Sequence, residues 1–336
     1  MKRNVFFVLL AVLSFSTGCS TGKEDRLELN GDLGTIMAEV RIADGGTRAD
    51  VVYEEALDVE KVVKKMDILV FDVGTRMLNA SKSFDTFAAT FDMTISAGSK
   101  VIYVLVNGPD VSSVTEMSQV NTLADSLSVS DITEDGLAMF GYTTCVVKAG
   151  EKVCPEISVK RLVSRVVLKS VTSRIPKQYG NLKMECVYLG NAYTVQNLSG
   201  NVFDMVNKKG YDSELSGEPI GKEDVEGRCP SYMFRKSNDE IAPGGFSDMT
   251  YYLYCQPNPS LDYTCLYMLV SIGGIKYYYR VPLNKPLAAN TTCSVEVVIA
   301  NLGSTTPPDG DFQKGEIQAT VKISDWVVGN SFVAEF

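Results

Sequence analysis

GTIMAEVRIAD (residues 34–44) and GEIQATVKISD (residues 315–325) are near-copies of one segment at opposite ends of a 336-residue chain. Aligned without gaps, they share Gly, Ile, Ala, Val, Ile and Asp in register. In the first copy Ile36, Ala38, Val40 and Ile42 alternate with Thr35, Met37, Glu39 and Arg41. In the second, Ile317, Ala319, Val321 and Ile323 alternate with Glu316, Gln318, Thr320 and Lys322. Alternation with period two specifies a β-strand with one buried face. The inward order Ile-Ala-Val-Ile is the same in both, so the two strands fit the same slot.

The rest of the chain reads the same way. Strand patterns recur between turn signals, and long helical patterns are scarce. MDILVFDVG (66–74) and SKVIYVLVNGPD (99–110) are core strands, and FDTFAATFDMTISAG (84–98) is a strand closing on a Ser-Ala-Gly turn. Residues 111–136 are polar and acidic, with loop or short helical character. ISVKRLVSRVVLKSVTSRIP (157–176) is a long strand region that passes from one domain to the next. Beyond it come LKMECVYLGNAYTV, MTYYLYCQPNP, the hairpin TCLYMLVSIGG–IKYYYRVPL, and TTCSVEVVIANLG. Half-buried sheets need a cover on one face, which makes the expected fold all-β, two tandem β-sandwiches. STTPPDGDFQKG (304–315) is a polar linker, because Pro307-Pro308 cannot continue a ladder. Asp309 and Asp311 lack the rest of a calcium-loop ligand set.

The N-terminus reads as an export signal. Lys2 and Arg3 precede an apolar run from Val5 to Phe15, too short to span a membrane, and Ser16-Thr17-Gly18-Cys19 follows. This resembles a bacterial lipoprotein signal with Cys19 as the lipid-bearing residue, although Ser16 stands where such signals usually carry Leu. An ordinary secretory signal is the alternative. Lys23-Glu24-Asp25 resembles the surface-export signal of Bacteroidetes lipoproteins.

Composition narrows the function classes. A net charge of -9 without a basic cluster speaks against a nucleic-acid partner. The chain has no histidine, the commonest general base and metal ligand. Besides Cys19 there are Cys145, Cys154, Cys186, Cys229, Cys255, Cys265 and Cys293, none in a CxxC, so no metal or cofactor site is expected. In TTCVVKAGEKVCPE, a two-residue Ala149-Gly150 hairpin would set Cys145 opposite Cys154. A disulfide there and two reduced, buried thiols stand as equal readings.

Taken in order, these pieces resemble the fimbrillins, pilus subunits of Bacteroidetes that are exported as lipoproteins and build type V pili. The resemblance is carried by Val62 and Lys65 before the strand Ile68–Phe71, and by Ile95-Ser96-Ala97-Gly98 leading into Val104-Leu105-Val106-Asn107. It continues in Val159-Lys160-Arg161-Leu162-Val163-Ser164-Arg165, in residues 290–299, in the linker, and in VKISDWVVGNSF. It implies Greek-key, transthyretin-like sandwiches and the division 1–18 signal, 19–48 propeptide, 49–163 first sandwich, 164–303 second sandwich, 304–336 linker and tail. It also implies an outer-membrane lipoprotein precursor whose first strand is removed by a protease cutting after an arginine. Here that is Arg48, with Ala49 as the new first residue, after Gly45-Gly46-Thr47. Removal of Ile36, Ala38, Val40 and Ile42 opens a groove. Another copy or a related fimbrial subunit refills it with Ile317, Ala319, Val321 and Ile323, extended by Trp326.

Other readings stay in view. The alternative reading of the C-terminal copy is a core strand of the second sandwich. A surface-anchored glycan-binding or adhesin lipoprotein could use the tyrosines of YYLY and YYYR, and a tip or anchor subunit is a variant within the fimbrial class. An enzyme is disfavoured: Asp239, Glu240 and Asp248 read as solvated loop, and no histidine exists to activate a serine.

Overall fold

A computed structural model describes residues 33–43, 54–206, 229–305 and 317–327, with backbone alone at 54–55, 317–318 and 323–327. The expected all-β fold is what it shows. The first sandwich is built from β1 (Leu33–Ile42), β3 (Met66–Asp72), β4 (Leu78–Phe84), β5 (Thr90–Ser96), β6 (Gly98–Val106), β8 (Met139–Val147), β9 (Lys152–Val153) and β10 (Glu156–Arg161). Their order is β4-β3-β6-β8-β10-β1-β5, with β9 beside β1. Inside lies an aliphatic cluster that includes Ile36, Ala38, Val40, Ile68, Val104 and Ile157. On the outer face of the same sheet, Leu69, Phe71, Tyr103 and Leu105 form a second cluster with Val114 and Val120, the latter from α1 (Met117–Val120).

The first strand of the second sandwich starts at Ser164, with two residues between it and the end of β10. One layer contains β11 (Ser164–Ser173), β17 (Phe246–Ser247), β18 (Tyr251–Cys255), β21 (Thr291–Ile299) and β22 (Ile317–Val327). The other contains β12 (Leu182–Gly190), β15 (Phe234–Lys236), β16 (Glu240–Ile241), β19 (Cys265–Ile272) and β20 (Ile275–Pro282). A small third sheet joins β13 (Ala192–Asn197) to β14 (Val202–Val206) and to β7 (Ala124–Ser126) of the first half. The hairpin read at Gly273-Gly274 is present, with Ile272 opposite Ile275 and φ of 58° and 81° at the two glycines. Positive φ at both central residues matches the right-handed twist of the flanking strands.

A buried charge cluster ties the halves together. Glu60 accepts from Arg165 Nη1 at 2.8 Å and 3.1 Å through its two oxygens, both side chains being fully buried. Tyr254 donates its hydroxyl to Glu60, and Arg161 Nη2 donates to the Glu60 carbonyl at 3.1 Å. Burial and the adjoining carboxylate push the Tyr254 phenol well above its ordinary range.

Two sequence expectations need correction. The 84–98 segment does not run as one strand: β5 begins only at Thr90, and a further strand, β4, lies upstream at LNASKSF. That stretch is half-exposed on both faces at a sheet edge, so its polar composition hid it. The Cys145–Cys154 hairpin is also absent. The chain does turn at Gly150 (φ 71°), but β9 pairs with β1 and not with β8. The reason is β1 itself: Gly150 N–H donates to the Leu33 carbonyl at 2.7 Å and Thr35 N–H donates to the Glu151 carbonyl at 3.0 Å, capturing the outgoing chain. Cys145 is half-buried, Cys154 exposed, and both are free thiols.

Candidate functional site

The first copy of the repeated strand is a central strand, flanked on both sides. Against β5 it runs antiparallel from Leu33 opposite Ser96 to Glu39 opposite Thr90. On its other edge it runs parallel to β9 (Thr35 opposite Lys152) and then to β10 (Glu39 opposite Glu156 through Ile42 opposite Val159). Among the described residues β5 has no other ladder partner, so β1 is what joins β5 to the sheet.

Side chains in this slot follow the sequence pattern. Ile36, Ala38 and Val40 are buried and Ile42 is half-buried. Thr35, Met37, Glu39 and Arg41 face outward. Thr35 and Met37 bound, with Phe91, Asp92, Glu151 and Lys152, a shallow hollow of about 380 Å³. Arg41 Nε donates to Glu39 Oε1 at 2.8 Å, which holds the Glu39 carboxyl below its usual range. Arg41 also sits inside the ladder, opposite Ser158. A protease cannot draw a paired strand into its cleft, so Arg41 is a poor target.

The sharpest requirement of the slot is at its first position. A Cβ placed on Gly34 would lie 2.5 Å from Val147 Cγ1 and 2.6 Å from the Lys148 carbonyl oxygen. Real Cβ atoms do not approach that closely, so any strand seated in this register needs glycine there. The repeated segment carries Gly315 at the same place. The shared glycine was visible in the alignment, but its steric role was not, because the atoms that impose it come from the 147–151 turn.

The second copy is seated elsewhere. β22 lies antiparallel along β21, from Ile317 opposite Ile299 to Asp325 opposite Thr291, in the second sandwich. There Ala319, Thr320 and Lys322 are exposed and Val321 is only half-buried. In this chain it is therefore a strand of its own second sandwich, as one sequence reading had it. It uses its apolar face less than β1 does, since Ala38 and Val40 are buried at the equivalent positions. Its far end is held by β2 (Glu54–Glu55), which pairs parallel with Trp326 and Val327. Cys19, Arg48, Ala49 and Gly315 lie outside the described residues, as do the side chains of Ile317, Ile323 and Trp326.

A tandem pair of β-sandwiches, with one copy of the repeated strand central in the first and the other seated in the second, defines the class of fold. No family model and no curated protein matches the sequence. Solved structures do match it. The chain shares its fold with a fimbrilin (FimA) from Porphyromonas gingivalis, at 14% identity over 88% of this chain and 98% of that one, TM-score 0.61. A candidate cell adhesion protein from Bacteroides eggerthii matches at 14% identity over 90% of this chain and 99% of that one, TM-score 0.61. The tip fimbrial protein Mfa3 from Porphyromonas gingivalis, with a C-terminal truncation, matches at 14% identity over 88% and 100%, TM-score 0.52. The fimbrilin fold expected from the sequence is thus the fold of this chain.

Proposed function

We propose that this chain is a structural subunit of a cell-surface fimbria that polymerises by strand exchange and supports adhesion. Cys19 anchors the precursor to the outer membrane through lipid. An arginine-specific protease then cuts between Arg48 and Ala49, releasing the segment that contains β1. The groove left between β5 and the β9–β10 edge accepts residues 315–325 of another copy or of a related subunit. The domain division given above, with residues 304–336 as linker and donor tail, belongs to the same reading.

The observation that carries it is the match at Gly34. The slot demands a strand with glycine first and Ile-Ala-Val-Ile inward, and residues 315–323 supply that order. Burying four such aliphatic side chains contributes on the order of 5–9 kcal/mol. Open ladder edges on both sides add roughly 0.5–1.5 kcal/mol per hydrogen bond. A head-to-tail contact of this kind does not close on itself and propagates into a filament.

The glycan-binding alternative loses its platform. In YYLY and YYYR, Tyr254, Tyr277, Tyr278 and Tyr279 are buried, and Tyr251 and Tyr252 are half-buried. A stalk position fits a chain with a cleavable arginine after its first strand better than an anchor position does.

The test is to cut purified protein after Arg48 and run it unboiled on a gel beside the same protein truncated before Gly315. A ladder from the full-length cut chain alone is the expected result. Monomers from both would sink the strand-exchange reading.

A further inference from the structure

The free ends of the two sandwiches carry exposed apolar side chains that neither core uses. At the end of the first sandwich away from Arg161, Val73 is 45% exposed and Val146 is 61% exposed. They flank Ser99 on one face of the sheet: Val146 is its ladder partner, and Val73 N–H donates to the Ser99 carbonyl at 3.0 Å. At the end of the second sandwich away from Ser164, Tyr179 is 40%, Phe246 63% and Ile275 53% exposed. Phe246 pairs with Thr172 near the end of β11, Ile275 closes the β19–β20 hairpin, and the Tyr179 carbonyl lies against Gly273 of that turn. Exposed apolar groups gathered at an end of a soluble fold mark a contact surface more often than scattered ones do.

The chain itself says what covers them. Ser304 exchanges two backbone hydrogen bonds with Tyr278, at 2.7 Å and 3.2 Å, three residues along β20 from Ile275, which fixes the start of the tether near the second free end. A donor strand with Gly315 in Gly34's seat enters the next copy at its first free end, where β1 begins beside Ser96 and Gly150. Only residues 305–314 join these points, at most about 40 Å when fully extended. Strand exchange through this tether keeps the two ends within that reach of each other.

We propose that successive copies of this chain make a second, apolar contact: Tyr179, Phe246 and Ile275 of one copy pack against Val73 and Val146 of the next. This rests on the strand-exchange reading and adds a stiff joint to it. The donor strand fastens the subunits, and the end contact orients them.

Two variants test it after the Arg48 cut: Val73→Ser/Val146→Ser, and Tyr179→Ser/Phe246→Ser/Ile275→Ser. Each is compared with wild type for assembly and for binding a synthetic peptide of residues 313–327, which carries the strand but no free end. Both variants should melt with wild type before cutting and take up the peptide equally well. Each should need at least about tenfold more protein to assemble, the loss of one or two exposed apolar contacts. Assembly of either variant at the wild-type concentration would overturn the end contact while leaving strand exchange intact. Cut wild type that takes up neither peptide nor a second copy would overturn both.

Discussion

Asp72 shows how single residues set the acid limit of the first sandwich. Its carboxylate accepts from the Thr75 backbone N–H at 2.9 Å and from the buried Lys100 ammonium at 2.9 Å. Those two donors, the backbone one first, hold it down at about 2. A carboxyl depressed in the folded state contributes stability above its unfolded value, near pH 4, and loses it as pH falls through about 2. Asp72→Asn should therefore cost about 1–2 kcal/mol at pH 7, the screening at its solvent side included, and flatten the acid limb of the stability curve. Urea melts between pH 2 and pH 7 check this, and an unchanged acid limb would contradict it. Residue-level legibility was uneven. The inward set Ile36, Ala38 and Val40 could be read from alternation alone, because period two is a local property. Arg161 and Arg165 were visible only as part of a motif, since their partner Glu60 is about a hundred residues upstream and nothing local announces it.

Among the elements, β2 has the most to say about control of assembly. Among the described residues it is the first paired segment after the Arg48–Ala49 bond, and it holds the Trp326–Val327 end of β22. If strand exchange operates as proposed, β22 is latched in its own molecule by the chain close to the proposed cut. Prolines at both Glu54 and Glu55 remove the backbone donor that this parallel pair gives the latch, worth about 1 kcal/mol, and should speed assembly of cut protein about fivefold. Stopped-time light scattering reads the rate; an equal or slower rate would show that β2 does not restrain β22. The long strands were legible wherever aromatic and β-branched residues alternate, as in β6, β19 and β21. β2, β4 and β9 were not. They are two to seven residues long, polar, and defined by the partner they meet, which is information that propensity does not hold.

The whole molecule is two sandwiches that bear matching copies of one strand but use them differently, one buried in the middle of a sheet and one laid along its outside. The tandem all-β architecture followed from strand spacing and the 304–315 linker. What sequence could not reveal was that β1 is paired along both edges, so that its proposed removal would open an acceptor on both sides, or that Gly34 faces the 147–151 turn. That steric demand offers the most direct test of whether residues 315–325 enter the slot of another copy. The measurement is the assembly of cut Gly315→Val protein, with Gln318→Val as the control, since Gln318 corresponds to outward-facing Met37. Gly315→Val should stay monomeric, because its side chain would meet Val147 and the Lys148 carbonyl, while Gln318→Val assembles like wild type. Filaments from Gly315→Val at the wild-type rate would contradict the account.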